Sequence, residues 1–143
     1  MHTIDTTAPV RPELALSSDD AFFILMKARE FDEKTPDSDP DSGSDAVDDG
    51  AVDTLEDKPD DAVQAELDAA IKALSDDAMH DLIALIWVGR GDFTLADWPE
   101  ARAAARDIGR ERAPRYVRGI PLVSDYLDEA LSQMGLSLED YMQ

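Results

Sequence analysis

Apolar residues fall in blocks along this chain, and the spacing inside each block is helical. Phe22, Phe23, Ile24, Leu25, Met26 and Phe31 make an apolar surface too broad for a helix that faces water. A first helix over about 18–33 is therefore expected to be buried, with Ser17 as its cap and Asp19 and Asp20 at the positive end of its dipole. Val63, Leu67, Ala70, Ile71 and Leu74 form a single stripe with a period near 3.6, so a second helix resumes near Pro59. Ser75 caps the next one, in which Met79, Leu82, Ile83, Leu85, Ile86, Trp87 and Val88 are apolar nearly all round. That segment reads as the central helix, ended by Gly89 in the left-handed conformation. A fourth helix over 97–112 has an inner face of Trp98, Ala101, Ala105 and Ile108. A last one opens at Pro121, carries Leu122, Val123, Tyr126, Leu127, Ala130 and Leu131, and stops at Gly135. Ser137 caps a short final turn through Tyr141. No segment alternates with period two, so the fold class is all-α, a bundle of about five helices.

Residues 35–58 break this pattern. Pro36, Pro40, Gly43 and Gly50 interrupt them, and their Asp and Ser side chains favour local hydrogen bonds over a helix. The expected organisation is a flexible tail (1–16), the first helix of the bundle (17–34), a disordered acidic insert (35–58) and a main helical domain (59–143).

Charge sharpens that division. The formal net charge is −20, and residues 32–61 alone hold 13 acidic against 2 basic side chains. Such a field repels duplex nucleic acid and anionic lipid and favours a basic protein partner. No apolar run approaches the roughly 20 residues of a membrane span. With no leader and no cysteine, a cytoplasmic location is expected, without disulfides or thiolate metal sites.

The block Leu85-Ile86-Trp87-Val88-Gly89-Arg90-Gly91-Asp92 resembles the signature of an uncharacterised bacterial family, a domain of unknown function with a GRGD motif. Tyr116-Val117-Arg118-Gly119-Ile120-Pro121-Leu122-Val123-Ser124-Asp125-Tyr126-Leu127 resembles that family's second block, and the likeness extends over most of residues 17–135. The resemblance implies a helical domain and supplies no substrate, cofactor or catalytic residue.

The chemistry-bearing residues are few. No catalytic constellation is present, and no metal or cofactor is expected. Asp37, Asp39, Asp41, Asp45 and Asp48 follow an EF-hand-like spacing, but the glycine is one place late and the terminal bidentate Glu is missing; the reading is an acidic linker. Arg90-Gly91-Asp92 reads as a helix-ending turn in which Asp92 caps the chain that follows. Arg102, Arg106 and Arg110, with Arg112, Arg115 and Arg118 nearby, could grip phosphate or an acidic partner; pairing with the chain's own carboxylates is the favoured reading. His80, the one histidine outside the tail, reads as a surface residue. The candidate binding residues are Trp87, Arg90, Asp92, Tyr116, Gly119, Pro121 and Tyr126. The leading function is a non-enzymatic acidic interaction or adaptor module. The alternative is a small ligand-binding protein or enzyme with a pocket near Trp87, Arg90, Tyr116 and Tyr126.

Overall fold

The computed structural model describes residues 12–34 and 62–142. The acidic insert, its EF-hand-like aspartates and the helix start near Pro59 lie outside the described residues. Seven α-helices and no strand occur among the described residues. They are α1 (Ser18–Lys34), α2 (62–72), α3 (Asp76–Arg90), α4 (Trp98–Ala105), α5 (Ala113–Arg118), α6 (Val123–Gln133) and α7 (Leu138–Met142). A 3₁₀ turn, Leu95–Asp97, leads into α4.

α3 is the centre of the bundle. Ser75 accepts the Ala78 N–H at 3.1 Å, satisfying one of the amides a helix start leaves open. Met79, Leu82, Ile83, Leu85 and Ile86 are fully buried, each contributing roughly 1.5–3 kcal/mol of apolar burial. α6 and α4 pack directly on α3, and α1 packs on α6. Leu67, Ile71 and Leu74 bring α2 into the same core.

Where α3 ends differs from the sequence reading. Gly89 is an ordinary helical residue inside α3, and the left-handed position is Gly91 at φ 98°. The Gly91 and Asp92 N–H groups close the helix on the carbonyls of Val88 and Trp87 at 3.0 and 2.9 Å, a double bond pattern that satisfies two otherwise open carbonyls. Gly89 is needed for another reason. A Cβ there would overlap the Tyr126 carbonyl oxygen and lie 2.6 Å from its carbon, so α3 and α6 touch backbone to backbone at this point.

The first helix starts where its cap predicts, with Ser17 Oγ accepting the Asp20 N–H at 3.1 Å. Its burial is one-sided: Phe22, Ile24 and Leu25 are buried, while Phe23 is 43 % exposed beneath the Lys27 ammonium. Of the segment read as a tail, residues 12–16 are described, and Leu16 is buried in the core.

Two long predicted helices are subdivided. The one expected over 97–112 ends at Ala105. The bonds from Arg106, Asp107 and Ile108 N–H to the carbonyls three residues back tighten the chain, and this turns Ile108 inward. Asp107 and Gly109 are weak helix formers, and Pro114 suits only the first turn of a new helix. Tyr116 and Val117 accordingly sit on α5. The last long helix starts at Val123 rather than Pro121, because Leu122 takes a left-handed φ of 63°.

The opening of α6 has no local cap. Instead, Asp32 on α1 accepts the Ser124 N–H at 3.1 Å and its hydroxyl at 2.7 Å, a cap supplied from 92 residues away in sequence. Asp32→Ala should lower stability by about 1–2 kcal/mol, with Asp32→Asn recovering most of it because an acceptor remains. Urea denaturation of the two variants checks this; equal losses would mean that charge, not capping, is what Asp32 supplies.

Candidate functional site

The candidate residues divide into a cluster and a periphery. Trp87 lies on the last turns of α3, and its indole N–H donates to the Tyr116 hydroxyl of α5 at 2.8 Å. Their rings meet edge to face, with centroids 6.4 Å apart. Phe93 tilts against the other side of Trp87 at 5.9 Å; sequence reading missed it, although its place directly after Asp92 was the available signal. Arg90 projects from the helix end and donates from Nε and NH2 to Asp92 Oδ2 at 2.9 and 2.7 Å. Asp92 therefore does not cap the next segment. Thr94 and Asp97 do that, the Thr94 hydroxyl donating to the Asp97 carboxylate at 3.1 Å.

The hydrogen bond to Asp92 raises the Arg90 pKa above its ordinary value; burial opposes it, and the Asp92 charge and the Tyr116 hydroxyl add to it. The cluster is thus a half-buried aromatic wall with a guanidinium held beside it. Tyr126 contributes its backbone, as the surface against which Gly89 packs. Gly119 and Pro121 are exposed in the turn between α5 and α6 and offer no polar side-chain group. Four of the seven candidates, Trp87, Arg90, Asp92 and Tyr116, are brought together.

The arginines resolve into two groups. Arg102 donates from Nε to Asp81 at 2.5 Å and lies 3.4 Å from Asp77. Arg110 reaches Asp76 at 2.9 Å and the carbonyls of Lys72 and Leu74 at 3.1 and 2.7 Å, capping the end of α2. Arg118 pairs with Asp68 at 2.8 Å. Internal pairing holds for these three, though the partners sit on α2 and α3 and not on Asp107 or Glu111. Arg106, Arg112 and Arg115 have no ion pair among the described residues.

Asp81 is the polar residue of greatest consequence, and its role is structural. Its carboxylate is 0 % exposed and also accepts the Ala15 and Leu16 N–H groups at 2.6 and 3.2 Å, tying the approach to α1 onto α3. The signal was an aspartate placed directly before the apolar run Leu82–Val88 of α3. His80 is half-buried, not a surface residue, and its Nδ1 has no hydrogen-bond partner among the described residues. Among the described residues no group of three or more His, Asp or Glu is placed to hold a metal ion, and no helix is long and apolar enough to cross a membrane.

Comparison with known proteins gives one match. A family model described as a protein of unknown function (DUF3775) matches residues 64–136. That span runs from α2 to the end of α6 and contains both the Gly89–Asp92 block and the Tyr116–Leu127 block. No curated protein and no solved structure matches the chain.

Proposed function

We propose that this chain, which belongs to the DUF3775 family of proteins of unknown function, works as a non-enzymatic interaction module in the bacterial cytoplasm and docks a basic, amphipathic partner segment. The observation that carries this reading is the surface around α7. A cleft of about 620 Å³ there is lined by Arg29, Asp128, Ser137, Leu138, Glu139 and Met142, with Met142 61 % exposed. α7 itself has no buried residue and is held by Tyr141, whose ring stacks on Phe22 at 4.8 Å. Asp19, Asp20, Glu139 and Asp140 are exposed and rim this end of the molecule. Burial, and after it the charge of Asp19, pushes the Tyr141 phenol above its ordinary pKa. Leu138 and Met142 offer apolar contact beside the carboxylate of Glu139, and the one cation of the cleft, Arg29, is already paired with Asp128 at 3.2 Å, so the surface suits a helix whose apolar face is flanked by Lys and Arg. In the Trp87 cluster the indole N–H is taken up by the Tyr116 hydroxyl and the Asp92 carboxylate by Arg90, and no paired acid and base stands there in an arrangement that favours catalysis over docking.

The test begins with affinity purification from the native host and then measures the recovered protein's binding directly by calorimetry. Met142→Glu, at an exposed position, should leave the melting temperature unchanged and weaken that binding at least about tenfold. Added salt should weaken the wild-type interaction, as expected for charge pairing at the rim. A variant that binds like the wild type would sink the reading.

The ligand-pocket alternative keeps one observation in its favour. Arg90 stands beside an aromatic wall and its partner Asp92 is 41 % exposed, so a ligand carboxylate or phosphate could take that partner's place. Asp92→Asn should cost no more than about 1 kcal/mol, since the pair is largely solvated. Melting and host complementation measured side by side separate the readings. A stable variant that complements fully leaves the pair as scaffold; a stable variant that fails favours the ligand site.

A further inference from the structure

One concave part of this acidic molecule is basic. Between α2 and the approach to α5 lies a cleft of about 300 Å³, lined by Lys72, Arg112, Arg115 and Arg118 together with Asp68 and Glu111. Four cations face two carboxylates, in a chain whose formal net charge is −20. The local sign is therefore opposite to that of the whole.

The pairing inside the cleft leaves the excess of positive charge in place, with three cations facing one carboxylate. Asp68 is committed to Arg118, Oδ1 to Nε at 2.8 Å, with both side chains largely buried. Arg112 and Arg115 are exposed and have no ion pair among the described residues. They are three apart at the start of α5, so they rise from the same face about one turn apart. The wall opposite is fixed in place, because Arg110 holds the Lys72 carbonyl at 3.1 Å and the Leu74 carbonyl at 2.7 Å. Like charges brought together in a concavity repel, and the low-dielectric walls strengthen the field they make. An anion entering the cleft would remove that repulsion and gain charge-assisted hydrogen bonds from two guanidinium forks.

We propose that this cleft binds a small phosphate-bearing molecule, with Arg112 and Arg115 holding its oxyanion and Lys72 supplying a third positive charge. A trianion matches Lys72, Arg112 and Arg115 in number, and a dianion matches the two positive charges left once Glu111 is counted against them. A nucleic-acid strand is disfavoured at the same site, since the chain's net charge of −20 opposes a polyanion. This site uses none of the residues of the α7 cleft and stands independently of the docking reading.

Pyrophosphate is the probe, added to the full chain with sodium chloride controls matched in ionic strength, and followed by amide NMR and calorimetry. Saturable one-to-one binding is expected, with the largest shifts at Lys72, Arg112 and Arg115. Arg112→Gln and Arg115→Gln should each weaken it about tenfold or more, in line with one lost charge-assisted contact. Both positions are exposed, so melting should stay at the wild-type value. Arg106→Gln, at another exposed arginine without an ion pair, should bind as the wild type does. Shifts that never saturate, or a loss at Arg106→Gln equal to the other two, would overturn the proposal in favour of diffuse charge attraction.

Discussion

Gly89→Ala should destabilise the protein by about 3 kcal/mol or more, a large share of the 5–15 kcal/mol that holds a domain of this kind together. Elsewhere in a helix the same substitution would stabilise, because alanine is a better helix former by about 1 kcal/mol. The sign is reversed here by the neighbour. The added Cβ would occupy the position of the Tyr126 carbonyl oxygen, and backbone cannot rotate aside as a side chain can. Relief requires α3 and α6 to separate, which opens contacts among Leu85, Val88, Val123 and Leu127, all buried. Gly109→Ala is the control, since a Cβ there meets nothing within 4 Å, and it should change stability by no more than about 0.5 kcal/mol. Urea denaturation of the two variants gives the comparison. A Gly89→Ala protein as stable as the wild type would mean that α3 and α6 do not pack this closely.

Asp81→Ala should cost about 3–5 kcal/mol, the range for a buried ion pair that loses one member. The carboxylate takes three donors at once: Arg102 Nε and the N–H groups of Ala15 and Leu16. Its removal leaves the Leu16 amide buried without an acceptor, and Arg102 retains only its contacts with Asp77. Asp81→Asn is not a substitute, because an amide turns an NH₂ toward at least one of those donors. Arg102→Ala combined with Asp81→Ala should cost less than the two single changes added together, by about 1 kcal/mol or more, which identifies their coupling. Strict additivity in that cycle would show that the arginine and the aspartate act separately.

The helical character of the chain, its central helix and its serine N-caps follow from local rules. Ser17, Ser75 and Ser137 each accept the amide three residues on, and each bond joins neighbours in sequence. The stripe Val63, Leu67, Ile71 and Leu74 is buried as its period requires. Periodicity also identified α3 as the central helix, its second half apolar nearly all round, because a segment enclosed by neighbours cannot leave a polar face there.

What depended on tertiary structure involves contacts between distant residues. Asp32 caps α6 across the fold, and no local pattern announces a cap on another helix. Gly89 and Gly91 look alike in sequence, since one flexible glycine can end a helix and another can admit a neighbouring backbone. Only the approach of Tyr126 assigns Gly89 to packing and leaves Gly91 to end α3. The arginines follow the same logic. Composition shows that acids outnumber bases, so pairing was expected, but partner choice depends on which helix ends meet. Asp76 and Asp81 on α3 take Arg110 and Arg102, and Asp68 on α2 takes Arg118. The sequence by itself therefore determined the helical character, the serine N-caps and the net sign of the charge, which are properties of neighbouring residues. The fold decided which side chains of that surface are already satisfied and which face solvent unpaired, because satisfaction depends on distances between helices that the chain reaches only when packed.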